Sequence, residues 1–125
     1  MPRVLLCDDD AMNRKVASKI LHKEGFEVTE AVNGQEALKQ LSQLSVNLIL
    51  MDVMMPVLDG YAAIKQIKAT PELASIPLIV ISALSDDAAI EQGLTLGADA
   101  YITKPYNITE FCRTIHTLVQ TDSHV

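Results

Sequence analysis

Residues 47–60 read NLILMDVMMPVLDG and place a single carboxylate at the end of an unbroken apolar run. The letters LILM are apolar on both faces of an extended chain, which is typical of a central strand in a parallel sheet. Asp52 ends this run. Burying an unpaired carboxylate costs several kcal/mol, roughly, unless a charged partner or a cation compensates for it. We therefore expect the strand to surface at Asp52 and other chemical groups to meet it there.

Short apolar runs alternate with segments of helical period along the whole chain. Strands are predicted at 3–7, 26–31, 46–51, 77–81 and 99–103. The first helical segment places Met12, Val16, Ile20 and Leu21 on one apolar face. Strict alternation of strands and helices predicts a parallel sheet with helices on both faces and right-handed crossovers. Five units are too few for an eight-stranded barrel, so a single doubly wound (βα)₅ domain of the α/β class is preferred.

Composition is that of one ordinary globular domain. The chain has 125 residues, 49% of them hydrophobic, and a net charge of −6. This charge provides no basic surface for nucleic acid or anionic membranes. The sequence contains neither a signal peptide nor an apolar stretch long enough to span a bilayer, so a cytoplasmic location is expected. Cys7 and Cys112 lack metal-type spacing and are predicted to be reduced. The domain is predicted to cover residues 1–120, followed by a tail at 121–125.

Polar side chains follow four of the five predicted strands. Ligands of doubly wound sheets bind outside the carboxyl ends of the strands. Strand 2 ends in Ala31 and Val32 and is predicted to contribute nothing. The other strands end in Asp8, Asp9 and Asp10 (strand 1), Asp52 (strand 3), Ser82 (strand 4) and Lys104 with Pro105 (strand 5). This edge of the sheet is therefore expected to carry several carboxylates, a hydroxyl and an ammonium group.

Such a set of groups has a specific chemistry. Carboxylates held together raise one another's pKa unless a cation neutralises them, and Mg²⁺ is the natural cation for oxygen ligands. A carboxylate can also act as a nucleophile toward phosphorus. Asp52 is the best nucleophile candidate because it is alone on its strand, whereas Asp8 and Asp9 can share the metal. Lys104 and Ser82 could then donate to the phosphoryl oxygens.

Each of these residues, taken alone, has a simpler explanation. Acids after a strand often cap the next helix, as Asp10 is expected to do. Ser82 alone would be read as a loop hydroxyl, and Lys104 alone as a surface lysine. Only their joint placement at four strand ends favours a functional site.

These residues resemble the receiver domain of two-component response regulators, the CheY-like family, over essentially the whole chain. VLLCDDDAMNRK is similar to the acidic pair after the family's first strand, with Arg14 five residues beyond Asp9. LILMDVMMPVLDG matches the phosphoacceptor pattern D-x-x-M-P-x-x-D-G. VISA supplies the hydroxyl followed by a small residue, and GADAYITKP supplies the aromatic residue and the lysine.

The resemblance implies a flavodoxin-like fold with strand order 2-1-3-4-5. It implies that Asp52 accepts a phosphoryl group from a histidine kinase or a histidine phosphotransfer protein. Mg²⁺ would be held by Asp8, Asp9, Asp52 and the backbone carbonyl of Met54. The domain would then be a switch that catalyses only its own phosphorylation and dephosphorylation.

The switch itself is implied to involve three residues. Lys104 would contact the phosphoryl group, and Ser82 would move toward that group. The Lys104–Pro105 peptide bond is implied to be cis. Tyr101 would move inward, changing the face formed by the fourth helix, fifth strand and fifth helix, where a downstream protein binds or a phosphorylation-dependent dimer forms. Ser82 stands where threonine is commoner in the family, which implies looser coupling to Tyr101.

Three rival functions share parts of this pattern. A phosphohydrolase working through an aspartyl phosphate would carry a second acid two residues after the nucleophile, where this chain has Met54. A flavodoxin-like cofactor binder would need a phosphate loop after strand 1, where this chain has three aspartates. A pseudo-receiver that serves only as a docking module would lack the complete residue set. The sequence leaves open the cognate kinase, the output, and whether the domain stands alone or belongs to a larger regulator.

Overall fold

The protein is described here from a computed structural model, which covers residues 2–53, 60–83 and 86–119. The strands are β1 (Arg3–Cys7), β2 (Glu27–Ala31), β3 (Leu48–Asp52), β4 (Leu78–Ser82) and β5 (Ala100–Thr103). The helices are α1 (Ala11–Lys23), α2 (Gly34–Leu41), α3 (Gly60–Ala69), α4 (Pro71–Ala74), α5 (Asp87–Thr95) and α6 (Ile108–Val119).

The five strands form one parallel sheet in the order β2-β1-β3-β4-β5. This confirms the predicted doubly wound fold and its strand order. The alternating sequence of β2 lies at an edge of the sheet, while the wholly apolar run of β3 lies at its centre. A central strand is covered on both faces, and all five residues of β3 are buried.

The boundaries differ from the sequence prediction in ways that matter for the site. Strands β3 and β4 extend one residue further than predicted, so that Asp52 and Ser82 are the last residues of their strands. The short helix α4, which begins with Pro71, was not predicted. The helices expected as the fourth and fifth are therefore α5 and α6.

The sheet separates two layers of hydrophobic core. On one face, Ala17 and Leu21 of α1 and Phe111 and Ile115 of α6 pack against the sheet. On the other, side chains of α2 and α3 such as Ala37 and Ile64 do so. Successive residues of a strand point to opposite faces, and the strand residues divide accordingly between the two layers. Val4, Leu6, Leu48, Leu50, Ile79, Ile81, Ala100 and Ile102 face α1 and α6, while Leu5, Cys7, Ile49, Met51, Leu78, Val80 and Tyr101 face the opposite layer.

Helix starts follow the capping rules. The side chain of Asp10 accepts hydrogen bonds from the backbone N–H groups of Met12 and Asn13, which confirms that it caps α1. The Asn107 side chain accepts from the N–H of Glu110 at the start of α6. Gly97 follows the C-cap of α5 with a φ of +119°, a conformation that L side chains rarely adopt. These caps fix where the helices begin and end relative to the sheet edge.

The predicted apolar face of α1 is only partly buried. Ala17 and Leu21 pack on the sheet, but Met12 is 68% exposed and Val16 48% exposed. The first turns of α1 lie beside the carboxyl edge of the sheet, beyond the residues that cover its core. Both cysteines are free thiols, as predicted, and Cys7 is buried. Within residues 2–53, 60–83 and 86–119, no helix has the length and apolarity needed to cross a membrane.

Candidate functional site

Three aspartates predicted from the ends of strands 1 and 3 meet at the carboxyl edge of the sheet. One carboxylate oxygen from each of Asp8, Asp9 and Asp52 can be chosen so that all three lie within 4.8 Å of one another. Asp8 is 5% exposed and Asp52 6% exposed, whereas Asp9 is open to solvent. The site is therefore a shallow acidic cavity with two buried carboxylates and a third at its mouth.

Lys104 joins the two buried carboxylates. Its Nζ lies 2.9 Å from Asp8 Oδ2 and 2.9 Å from Asp52 Oδ2. Its backbone N–H donates to the carbonyl of Ser82 at 2.8 Å, and the Lys104–Pro105 peptide is cis, as predicted. Burial acts to lower the pKa of the Lys104 ammonium, but its hydrogen bonds to Asp8 and Asp52 outweigh burial and raise that pKa above its ordinary value. Lys104 is thus a fixed positive charge in the site.

Asp8 is oriented by contacts that the sequence did not reveal. Its Oδ1 accepts the backbone N–H of Asp10 at 2.9 Å, and its carbonyl oxygen accepts from the Arg14 guanidinium at 2.7 Å. Arg14 Nε in turn lies 3.1 Å from Glu30 Oε1 on β2. The end of strand 2 was expected to contribute no site group; Glu30, within β2, acts indirectly because it holds the arginine that fixes the backbone at Asp8. The signal was available in the alternation of β2, which places Glu30 on the same face as Val28, toward α1.

The alternation of the strands divides the predicted site residues between the two faces. Asp8, Asp52 and Lys104 continue the series that face α1 and α6, and the Lys104 salt bridges show that these three meet. Ser82 and Tyr101 belong to the opposite series, together with Val80. Ser82 is fully buried, and Tyr101 is partly buried. Asp8, Asp52 and Lys104 are therefore on one face of the sheet, and Tyr101 is on the other together with Ser82, which was expected both to donate to the phosphoryl group and to switch.

Gly60 holds the start of α3 against the strand that carries Asp52. Its N–H donates to the carbonyl of Val53 at 3.2 Å. A Cβ atom at this position would lie 2.5 Å from the carbonyl oxygen of Asp52 and closer still to the Cα of Val53. Because both obstacles are backbone atoms, only glycine allows this approach. Gly60, the last residue of the 47–60 stretch, thus helps to position Asp52.

Cys7 lies directly below the acidic cavity but is not part of its chemistry. Its Sγ lies 3.2 Å from the carbonyl oxygen of Asn33. Burial, together with the nearby charges of Asp8 and Asp52, raises the pKa of the Cys7 thiol to about 12. A thiol with this pKa is uncharged at neutral pH and is a poor nucleophile.

The donor set fits a hard divalent cation. Three carboxylates offer the oxygen ligands that Mg²⁺ prefers, and one open side leaves room for the waters that Mg²⁺ retains. A separation of up to 4.8 Å between these oxygens is slightly more than two metal–oxygen bonds of about 2.1 Å can span, so direct coordination by all three needs a small inward movement. The predicted fourth ligand, the carbonyl of Met54, lies outside the described residues.

An apolar groove opens from the acidic cavity between α1 and the segment leading into α6. Its volume is about 480 Å³, and Asp8 and Lys104 are among the residues that line it. Val16 and the 59%-exposed Ile108 lie on its two sides. Tyr106, which stacks on Phe111 with ring centroids 4.5 Å apart, is also part of its wall. The exposed Val16 of α1 therefore belongs to a surface that is continuous with the site.

Comparisons of the sequence and of the structure with known proteins identify the same family. The profile described as the response regulator receiver domain matches residues 4–116. The chain is 38% identical over 120 residues to the transcriptional regulatory protein CpxR homolog of Haemophilus influenzae, covering 96% of this chain and 51% of that protein. The chain spans about half the length of most of the curated relatives it matches.

Solved structures agree with this match. The signal receiver domain of a signal transduction histidine kinase from Syntrophus aciditrophicus superposes with a TM-score of 0.92 at 31% identity, over 100% of this chain and 95% of that one. The receiver domain of the sensor histidine kinase PA1611 from Pseudomonas aeruginosa has a TM-score of 0.88 at 29% identity, over 95% and 98% of the two chains. That receiver domain is described with a magnesium ion coordinated in its active site cleft.

Proposed function

Because the chain belongs to the response regulator receiver domain family of two-component systems, we propose that it is a switch controlled by phosphorylation of Asp52. The observation that carries this proposal is the meeting of three carboxylates with one ammonium group at a single edge of the sheet. The donor would be a phosphohistidine on a histidine kinase or on a histidine phosphotransfer protein.

Asp52 is the best-placed acceptor of the three aspartates. It ends the central, fully buried strand, so its backbone is held by neighbours on both sides. Asp8 is committed to the N–H of Asp10 and to Lys104, and Asp9 is exposed. In the reaction, an Asp52 carboxylate oxygen forms a bond to phosphorus while the bond between phosphorus and the histidine nitrogen breaks. The imidazole leaves with the electron pair of that bond.

The other site residues would stabilise the charge that the transferred group carries. Lys104 already lies against Asp52 and can donate to phosphoryl oxygens without a large rearrangement. Asp8 and Asp9, with Asp52 and the carbonyl of Met54, would hold Mg²⁺. The ion, when bound, neutralises the carboxylates and the incoming phosphoryl oxygens. Catalysis by this chain would be limited to its own phosphorylation and dephosphorylation.

The groove between α1 and α6 is the surface we propose for the phosphodonor. Asp8 and Lys104 line it, and the Lys104 ammonium lies 2.9 Å from Asp52, so a protein seated there would lie close to Asp52. The exposed apolar side chains Val16 and Ile108, which line the groove, match an apolar helical surface on the donor. The net charge of −6 gives this domain no basic surface for nucleic acid, so we propose that its direct contacts are with proteins.

Phosphorylation would be read out on the opposite face of the sheet. The phosphoryl group adds about two negative charges and three acceptor oxygens, and it favours a placement of Ser82 that donates to it. Tyr101, on the same face as Ser82, would follow inward. The surface formed by α5, β5 and α6 would then change its affinity for a downstream protein or a second copy of the domain.

Labelling with a small phosphodonor tests the proposal. With acetyl phosphate and Mg²⁺, the mass of the chain should increase by one phosphate, and hydroxylamine should remove it because acyl phosphates are cleaved by this nucleophile. Asp52→Asn should abolish the labelling, and the exposed Glu91→Gln should leave it unchanged. Labelling that persists in Asp52→Asn would refute the assignment. Continuous release of phosphate from simple esters would instead support a phosphohydrolase.

A further inference from the structure

A hydrogen-bonded pair of charged side chains links the edge strand β2 to the start of the candidate metal site. The Arg14 guanidinium of α1 donates to the carbonyl oxygen of Asp8 at 2.7 Å and to Glu30 Oε1 at 3.1 Å. The Arg14 side chain is only 16% exposed. Hydrogen bonds from a charged donor are stronger than those between neutral groups. Arg14 is thus a largely buried cation whose guanidinium is held by two acceptors.

The carbonyl that Arg14 holds belongs to the peptide unit between two of the expected metal ligands. This unit joins Asp8 to Asp9. A peptide unit is planar, so fixing its carbonyl oxygen also fixes the directions in which the chain leaves toward both Cα atoms. The N–H of Asp8 donates to the Ala31 carbonyl of β2 at 3.1 Å. Both backbone groups of Asp8 are therefore tied to β2, the N–H directly and the carbonyl through the Arg14–Glu30 pair.

Backbone position matters here because the side chains of the two ligands are held unequally. The Asp8 carboxylate accepts from the Asp10 N–H and from the Lys104 ammonium, each at 2.9 Å, whereas the Asp9 side chain is exposed. The place of the Asp9 carboxylate therefore depends mainly on the peptide unit that Arg14 holds. The small inward movement that metal coordination needs can come from rotation of this exposed side chain, which a fixed backbone does not oppose.

We infer that Arg14 and Glu30 are positioning residues for the metal site, because together they fix the peptide unit that joins two of its expected ligands. The inference rests on the proposed function, in which Asp8 and Asp9 help to hold Mg²⁺. Groups that orient metal ligands raise the affinity of a site for its metal, although they do not touch the ion.

The charge of Arg14 makes the direction of the effect informative. A cation beside the site repels Mg²⁺, so a purely electrostatic role predicts that removing Arg14 tightens Mg²⁺ binding. A positioning role predicts that removing it weakens Mg²⁺ binding, in spite of the lost repulsion.

The test is a calorimetric titration of the folded protein with Mg²⁺, without any phosphodonor. Arg14→Met should raise the dissociation constant about tenfold, the low end for groups that orient a metal ligand. Glu30→Gln should raise it roughly fivefold, since the guanidinium keeps its charge but loses one of its two charged or carbonyl acceptors. In the Arg14→Met background, adding Glu30→Gln should change the constant by less than about twofold, because Glu30 acts through Arg14.

Glu27→Gln is the matched control. Glu27 lies on the same strand, and its Oε2 forms a solvent-accessible ion pair with Arg3 at 3.2 Å. This exchange removes the same charge from β2 without touching the peptide unit at Asp8, so the dissociation constant should stay within about twofold of the wild-type value. If Arg14→Met does not fold, equal constants in Glu30→Gln and Glu27→Gln overturn the inference.

A second measurement follows the peptide unit itself in the metal-free protein. A carbonyl that accepts a hydrogen bond has its ¹³C resonance shifted downfield. The Asp8 carbonyl resonance should therefore move upfield in Arg14→Met, where this bond is lost, and should stay in place in Glu27→Gln.

The outcomes separate the inference from the function on which it rests. A wild-type protein that does not bind Mg²⁺ overturns the metal site of the proposed function, and the inference with it. A wild-type protein that binds Mg²⁺, with equal or tighter binding in Arg14→Met, overturns the positioning role alone. An Asp8 carbonyl resonance that is unchanged in Arg14→Met does so as well. An effect of Glu30→Gln that is as large without Arg14 as with it overturns the part of Glu30 in the pair.

Discussion

Replacing Asp52 by asparagine should stabilise the fold while it abolishes function. At an effective dielectric constant of about 20, unit charges 4.8 Å apart repel by ~3.5 kcal/mol, and opposite charges 2.9 Å apart attract by ~5.7 kcal/mol. One carboxylate oxygen of Asp52 lies within the first distance of oxygens of Asp8 and Asp9, and its Oδ2 lies at the second distance from Lys104 Nζ. Two repulsions of at least that size exceed the single attraction by about 1 kcal/mol. Burial of Asp52 adds a further cost for the charged form.

An amide at this position keeps a hydrogen bond from Lys104 but removes both repulsions. We therefore expect Asp52→Asn to raise the free energy of unfolding by about 1–2 kcal/mol at neutral pH without divalent cations. If the Asp52–Lys104 salt bridge were instead a simple stabilising pair, its loss would cost about 3–5 kcal/mol. Net repulsion at Asp52 and a simple stabilising salt bridge therefore predict opposite signs for the change in free energy of unfolding caused by Asp52→Asn.

Urea unfolding, monitored by circular dichroism in EDTA and then in millimolar Mg²⁺, measures the difference in free energy of unfolding between the wild type and Asp52→Asn. In EDTA the midpoint of the variant should exceed that of the wild type, with Glu91→Gln as the control for the exchange of carboxylate for amide. Added Mg²⁺ should stabilise the wild type more than the variant, because binding to the native state alone adds stability. The difference in unfolding midpoint between the two proteins should therefore decrease. A variant that is equal to or less stable than the wild type in EDTA would refute the electrostatic reasoning.

Three further changes test other parts of the site. Asp9→Asn should weaken Mg²⁺ binding at least tenfold in a calorimetric titration while changing stability by less than about 0.5 kcal/mol, since Asp9 is exposed; undiminished Mg²⁺ affinity would exclude it as a ligand. Lys104→Met should cost about 2–4 kcal/mol in EDTA, because it leaves two buried carboxylates without their counter-charge. The pKa of Lys104 is raised above 10.5 in the folded state. The difference in free energy of unfolding between the wild type and Lys104→Met should therefore be complete below pH 10.5 and should decrease as the pH rises through the raised pKa. A difference that stays constant into strong alkali would contradict this assignment. Gly60→Ala should destabilise by about 3 kcal/mol or more, since its Cβ meets backbone atoms, and it should slow labelling of Asp52; a fully stable variant would show that the start of α3 can move freely.

Most of the fold could be predicted from hydrophobic patterns. The apolar runs of β3 and β4 and the alternating run of β2 indicated central and edge positions that the sheet confirms. The exact ends of the strands could not be predicted, because Asp52 and Ser82 are polar and a hydrophobic pattern stops before them. Helix α4 was missed because its four residues contain too few turns to show a helical period.

The site was predicted in its members but not in its arrangement. Lys104 was expected beside Asp52, but nothing in the sequence indicated that the same ammonium also binds Asp8. Arg14 and Glu30 hold the backbone at Asp8 through a contact between α1 and β2, and only the packed structure brings them together. Met12 and Val16 were predicted to lie on the apolar face of the first helix because of their period, yet both are exposed, since α1 extends past the part of the sheet it covers. Period predicts which face of a helix is apolar, but not how much of that face is covered.

The division of the site between the two faces of the sheet makes strand length a functional property. Asp52 and Ser82 are the last residues of β3 and β4, and Asp8 directly follows β1. Because successive strand residues point to opposite faces, a change of one residue in strand length would move each of these side chains to the other face of the sheet. Deleting one residue within β3 would turn Asp52 toward the layer of Ser82, or would move Leu48 and Leu50 into the opposite core layer in order to keep Asp52 in place. The strands of this domain can therefore vary in sequence far more readily than in length. Insertions and deletions that preserve the switch are confined to the loops, such as residues 42–47 between α2 and β3, that enter the sheet from its other edge.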